Sequence, residues 1–238
     1  VATANSVKRT IRGTAAVVIP FLKGTFDITW KGQEHLAGEG GVIVVSNHVT
    51  QVDPLLVGHF VLDTGRMPHF MAKKSMFGWP LVGWIMRRSN QVPVFRGTQD
   101  AGRAIDIARE IVAGGEALIV YPEGTLTRDP GLWPMRGYTG AARLALATGA
   151  PVVPVAHWGD QMVLPTRGGT KIPKRFRPPV TVQAGPAVDL SDLRDQPITK
   201  ATLMEATERI MSALTAQLAD IRGEAPPAVR FDPRKAAS

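Results

Sequence analysis

Short, continuous apolar runs alternate along this chain with longer segments in which apolar residues recur every three or four positions. Val42, Ile43, Val44 and Val45 form one unbroken run, introduced by Gly38, Gly40 and Gly41. A run of that kind fits a strand covered on both faces. Residues 91–95, 117–121 and 152–156 read as further strands. Asp100 can cap a helix whose apolar face is Ala101, Ala104, Ile105, Ala108, Ile111 and Val112, and Gly114-Gly115 ends it. The next helix spans 138–148 and stops at Gly149. Strand, helix, strand, helix, strand at this spacing builds parallel βαβ units with right-handed crossovers. Residues 26–31 add a short strand, 180–184 an outer strand, and 199–222 a long amphipathic helix. The expected fold is α/β: a single domain over 26–222, with a mainly parallel central sheet flanked by helices.

The two ends differ from this core. Residues 1–25 predict a basic amphipathic helix, in which an apolar stretch from Thr14 to Leu22, interrupted by Pro20, follows Lys8, Arg9 and Arg12. Such a segment either lies on a lipid surface or packs on the domain. Residues 223–238 hold Pro226, Pro227 and Pro233 among scattered charges and read as a basic tail, loosely ordered or packed as an extended arm. No apolar run reaches the ~20 residues that a bilayer-spanning helix needs.

Charge narrows the partners. Lysine and arginine number 28 against 20 acids, a formal charge of +8. Such an excess favours polyanions: nucleic acid, anionic lipid headgroups or phosphorylated substrates. Neither an RNA-recognition aromatic signature nor a Cys/His zinc-finger spacing is present, so nucleic acid is not the expected partner. With no cysteine in the chain, disulfides, thiolate metal sites and cysteine nucleophiles are excluded.

In open α/β sheets, ligands collect beyond the carboxyl ends of the strands. Three polar clusters fall there: Asn47-His48, Arg96-Gly97 and Pro122-Glu123-Gly124-Thr125. His48 and Asp53 are five positions apart, which on a continuous helix would separate them by roughly 140°. They meet only if the chain turns between them, and Asp53-Pro54, read as an N-cap with proline at the first helical position, predicts that turn. A carboxylate on one ring nitrogen fixes the tautomer and makes the other nitrogen a general base. With no G-x-S-x-G elbow and no cysteine, that base would act on an external hydroxyl. Taken alone, a His-x₄-Asp pair is more often a structural histidine near a strand end.

Its company changes the reading. Four blocks in order resemble the glycerolipid acyltransferases with the N-H-x₄-D signature, and specifically the bacterial 1-acyl-sn-glycerol-3-phosphate acyltransferases. They are Asn47-His48 with Asp53; Val92-Pro93-Val94-Phe95-Arg96-Gly97; Tyr121-Pro122-Glu123-Gly124-Thr125, similar to the family's F-P-E-G-T-R-S; and Val152-Val153-Pro154-Val155. A basic step at Lys73-Lys74 precedes an apolar segment between the first two. The resemblance implies that His48 deprotonates a lysophosphatidic acid hydroxyl, which attacks acyl-CoA or an acyl carrier protein thioester, with Asp53 orienting His48. It also implies that Asn47, Lys73, Arg96, Glu123, Gly124, Thr125, Arg128 and Arg136 serve the substrate, and that neither a metal nor a bound cofactor is required. Glu123, His48 and Asp53 together look incomplete as a metal-ligand set.

Two departures concern the acceptor. The arginine that follows P-E-G-T in the family is Leu126 here, with Arg128 two residues on as a substitute, and Phe95 stands where an acid is common. A glycosylated or other lysophospholipid acceptor therefore stays open, as does a non-catalytic lipid-binding module. Lys73 and Lys74 read more often as a solvated pair. Trp79, Leu81, Val82, Trp84, Ile85 and Met86 read more often as core, and His157 as structural. An enzyme with one amphiphilic substrate and one water-borne thioester is expected at the cytoplasmic face of the cell membrane, bound peripherally to anionic lipid.

Overall fold

The structure, a computed structural model, describes residues 3–94, 101–166 and 176–235. Among the described residues seven strands form one sheet: β1 (Asp27–Lys31), β2 (Val42–Ser46), β3 (Pro68–Lys73), β4 (Val92–Val94), β5 (Ala117–Val120), β6 (Val152–Trp158) and β7 (Pro179–Ala184). Their order across the sheet is β1-β7-β6-β2-β5-β3-β4. Every pairing is parallel except β6 with β7. The α/β reading holds, with one correction at the edge. β7 is not an outer strand, because β1 pairs with it from Asp27↔Pro179 to Lys31↔Gln183 and takes the edge.

β2 and β5 lie at the centre because they can bury both faces. Ile43 and Val45 of β2, with Leu118 and Val120 of β5, join one apolar layer. Val42, Val44, Ala117 and Ile119 join the other, as the two-residue period of a strand requires. The first layer is closed by helices α4 (Ala101–Ala113), α5 (Gly140–Thr148) and α7 (Lys200–Arg222), through Ala108, Ile111, Ala142, Leu144, Leu203 and Ile210. The opposite layer is closed by α2 (Asp53–Asp63), whose Leu56, Val57, Phe60 and Val61 are fully buried. Each such side chain contributes roughly 1.5–3 kcal/mol, so the start of α2 has little freedom to move. That start carries Asp53.

β3 is a strand that local pattern did not announce; it pairs with β5 at Pro68↔Ala117 and with β4 at Met71↔Val92. After it come a 3-10 turn (Lys74–Gly78) and α3 (Pro80–Arg88). The apolar residues around α3 are not core: Trp79, Leu81, Val82 and Trp84 are exposed. The N-terminal helix α1 (Ala4–Thr25) runs through Pro20 without ending. It is held by Val7 and Ile11 against Met67, by Leu22 in the α2 layer, and by a Lys8–Glu116 ion pair of 3.4 Å. Its Val17 and Phe21 remain exposed. α1 and α3 touch. The short helix α6 (Ser191–Arg194) precedes α7, and beyond α7 the Arg136 N–H donates to the Phe231 carbonyl at 2.9 Å.

Candidate active site

Strand register brings the polar clusters together. Val45 pairs with Val120 and Ser46 with Val155, all in parallel strands. His48 and Glu123 therefore leave the sheet over the same rim, each two or three residues past a paired position, and His157 lies near the end of β6, paired with Val182. The chain turns after His48, and Thr50 makes the turn: its hydroxyl oxygen accepts the N–H groups of Val52 (3.1 Å) and Asp53 (3.2 Å). Val52 is the capping position of α2 and Asp53 its first residue. Asp53 is thus not the N-cap. Its carboxylate reaches back and accepts the N–H groups of Val49 (2.8 Å) and Thr50 (3.0 Å).

The turn places both Asp53 oxygens 3.0 Å from His48 Nδ1. Asp53 is fully buried, whereas the His48 side chain keeps 21% of its surface open, so the dyad has one inward and one outward partner. Burial would raise the Asp53 carboxyl, but hydrogen bonds from His157 and His48 outweigh it and hold the group at about 2. An acceptor-only carboxylate facing Nδ1 keeps a proton there and leaves Nε2 as the acceptor. The Tyr121 ring stacks on His48 at 4.4 Å between centroids. Burial, with Asp53 and Asp160 nearby, pushes the Tyr121 phenol well above its ordinary range.

Glu123 and Asn47 both bond to backbone around the dyad. Glu123 is 1% exposed; its two oxygens accept the His48 N–H at 3.2 Å and the Met135 N–H at 3.0 Å. Burial raises its carboxyl to about 8, against the pull of those two donors. Asn47 is equally buried, and both ends of its amide serve the backbone of His157: Nδ2 donates to the carbonyl (3.1 Å) and Oδ1 accepts the N–H (3.0 Å). The loop after β5 is also tied to the dyad, since Thr127 N–H donates to the His48 carbonyl at 2.7 Å.

The remaining candidates are more dispersed. Gly124 takes φ +64° at the turn, a left-handed conformation that suits glycine; it is exposed, Thr125 is half-buried, and Arg128 is exposed. Arg136 is not a free cation at the site, because its guanidinium pairs with Asp232 at 2.9 Å. Lys73 is exposed at the end of β3, in register with Val94. Arg96, with Phe95, Gly97 and the capping Asp100, lies outside the described residues.

Three residues of the site escape local sequence reading. His157 is completely buried behind Asp53, with Nε2 3.5 Å from Asp53 Oδ2 and Nδ1 3.0 Å from Asp160 Oδ1. Thr50 donates its hydroxyl proton to the other Asp160 oxygen. The available signal was His157-x₂-Asp160 at the end of an apolar strand. Its partners come from 110 positions away, which no local spacing reveals.

The Acyltransferase family model matches residues 27–158, more than half of the chain and all four blocks. The chain belongs to that family. Among the acyltransferase relatives, a chloroplastic 1-acyl-sn-glycerol-3-phosphate acyltransferase of Brassica napus is 32% identical over 63% of this chain and 41% of its own length. A lyso-ornithine lipid O-acyltransferase of Pseudomonas aeruginosa is 32% identical over 47% of this chain and 41% of its own. The chain spans about half the length, or less, of the curated relatives it matches. The crystal structure of the 1-acyl-sn-glycerophosphate acyltransferase PlsC from Thermotoga maritima shares the fold, with a TM-score of 0.68 at 22% identity over 93% of this chain and 83% of that one.

Proposed function

We propose that this acyltransferase moves a fatty acyl group from acyl-CoA or an acyl carrier protein to the free hydroxyl of lysophosphatidic acid. The observation that carries the reading is the His48–Asp53 pair, with Nδ1 committed to a buried carboxylate and the imidazole partly open. Nε2 takes the acceptor's proton as its oxygen attacks the thioester carbonyl; the C–S bond breaks, and His48 returns the proton to the departing thiolate. Asp53 stabilises the imidazolium between those steps. Arg96, Lys73 and Arg128 are the groups suited to the acceptor phosphate or the developing oxyanion, since phosphate is recognised by cationic side chains; in the Gly124-Thr125 turn the Gly124 N–H donates to the Tyr121 carbonyl at 3.0 Å. The chemistry calls for neither a metal nor a bound cofactor.

Leu126 in place of the family's arginine, together with the lyso-ornithine relative, favours a second reading: the same transfer to a lysolipid with a different headgroup. In both, the enzyme docks peripherally on the cytoplasmic face of the membrane. Val17 and Phe21 of α1, with Trp79, Leu81, Val82 and Trp84 at α3, offer exposed apolar side chains on touching helices. Arg9, Arg12, Arg87 and Arg88 lie on the same two helices, and each basic side chain near anionic lipid contributes roughly 1 kcal/mol. Among the described residues no helix is long and apolar enough to cross a membrane.

The test is thioester release by purified protein, with acyl-CoA and acyl carrier protein donors against lysophosphatidic acid, lyso-ornithine lipid and glycosylated lysolipids. His48→Ala is expected to lose about 10²–10⁴-fold, the usual worth of a general base. Wild-type rates from that variant would remove His48 from its role, and acceptor-independent release by the wild type would remove the transfer.

A further inference from the structure

We infer that His157 is a positioning residue for the dyad: a buried, doubly protonated imidazole that faces Asp53 from behind and governs how readily the dyad takes up a proton. Its catalytic consequence rests on the acyl-transfer reading above; its protonation state does not.

Both ring nitrogens of His157 face hydrogen-bond acceptors. His157 Nε2 lies 2.9 Å from the Asn47 carbonyl oxygen, which can only accept, so Nε2 carries a proton. Nδ1 lies 3.0 Å from Asp160 Oδ1. The other Asp160 oxygen is engaged by Thr50. That hydroxyl already accepts two N–H groups, from Val52 and Asp53, so its single proton points to Asp160 Oδ2. Oδ2 therefore accepts, and the proton shared between Oδ1 and Nδ1 belongs to the imidazole, the stronger base of the two, so Nδ1 carries a proton too. Burial works against a cation here, but the charge and hydrogen bond of Asp160, followed by those of Asp53, raise His157 well above its ordinary range.

The groups facing this cation come from four places. His48 and Thr50 lie on the loop after β2, Asp53 on α2, Tyr121 and Glu123 on the loop after β5, and Asp160 on the turn after β6. Tyr121 stays neutral and Glu123 is neutral below about 8. Two carboxylates and one imidazolium leave a single net negative charge, which a proton on His48 cancels. Without the His157 cation, Asp53 and Asp160 would present two unscreened buried charges to His48. The cation thus offsets one of those two charges while holding Asp53 in place.

Nitrogen-15 NMR of the histidine-labelled full chain reads the protonation state directly. Both His157 ring nitrogens should carry imidazolium shifts at pH 8, and in Asp160→Asn the ring should begin to titrate in the accessible range. A neutral His157 ring at pH 7 overturns the inference, whatever the enzyme acylates. In thioester release, His157→Gln should move the acid limb of the rate–pH profile upward by about one pH unit, lowering kcat at neutral pH with the acceptor KM unchanged. A folded His157→Gln protein with an unmoved acid limb refutes the tuning role. Should that variant unfold, the wild-type NMR result decides.

Discussion

Replacing Asp53 with Asn keeps the shape of the side chain and removes its charge, which isolates what the carboxylate contributes. The wild-type group accepts from His48 Nδ1 and from the Val49 and Thr50 N–H groups while fully buried. An amide has one acceptor oxygen for those donors, and its NH₂ must face at least one of them. Where the NH₂ faces Nδ1, it moves the imidazole proton to Nε2, the nitrogen that has to be bare. Loss of the correct tautomer costs on the order of 10³–10⁴ in rate in hydrolytic triads, and the same range is expected for thioester release by Asp53→Asn. Stability gives a second, independent magnitude. A carboxyl held at about 2 instead of 3.8 contributes about 2–3 kcal/mol. Because the folded value is the lower one, that contribution is complete above pH 3.8 and disappears as the pH falls towards 2. Urea unfolding of wild type and Asp53→Asn should therefore show a gap at pH 6 that closes between pH 4 and pH 2. Activity within tenfold of wild type, or a stability gap that ignores this window, would refute the reasoning.

Glu123→Ala should cost about 2–4 kcal/mol at pH 5, because the buried N–H groups of His48 and Met135 lose their acceptor. Burial raises the Glu123 carboxyl to about 8, so its native-state benefit declines as the pH climbs from 4.5 through 8; the gap should narrow towards pH 9, and a widening gap in denaturant titrations would contradict the assignment. Replacing Trp79 and Trp84 together with alanine should weaken sedimentation with phosphatidylglycerol vesicles at least tenfold, since each side chain offers more than the ~1.4 kcal/mol that a factor of ten requires. Unchanged partitioning by the folded double variant would remove α3 from the membrane surface.

The central strands were legible because they are covered on both faces and so carry unbroken apolar runs: β2, β5 and β6 lie where residues 42–45, 117–121 and 152–156 placed them. β3 was not legible. Pro68, His69 and Lys73 give it no strand pattern, and it exists because β5 and β4 supply hydrogen-bonding partners on either side. The segment around α3 shows the converse limit. Trp79, Leu81, Val82 and Trp84 make an apolar segment, but sequence does not say whether protein or something else covers it, and here the protein leaves it exposed.

The site divides along the same line between local and distant causes. His48 and Asp53 belong to one turn, so a five-residue spacing and an Asp-Pro step sufficed to predict their meeting. What steadies them comes from elsewhere in the chain: Glu123 grips the His48 backbone from 75 positions away, and Asn47 and Thr50 bond across 110 positions to His157 and Asp160. Asn47 and Glu123 hold backbone by long-range bonds that the sequence does not display, because a polar side chain at a strand end looks alike in sequence whether it faces solvent or another strand's backbone. A reactive pair can be written into one loop, whereas the groups that brace it come from several strands, which parallel register brings to a common rim. The groups that brace the pair are therefore found at the ends of β5 and β6, while the pair itself lies within one turn.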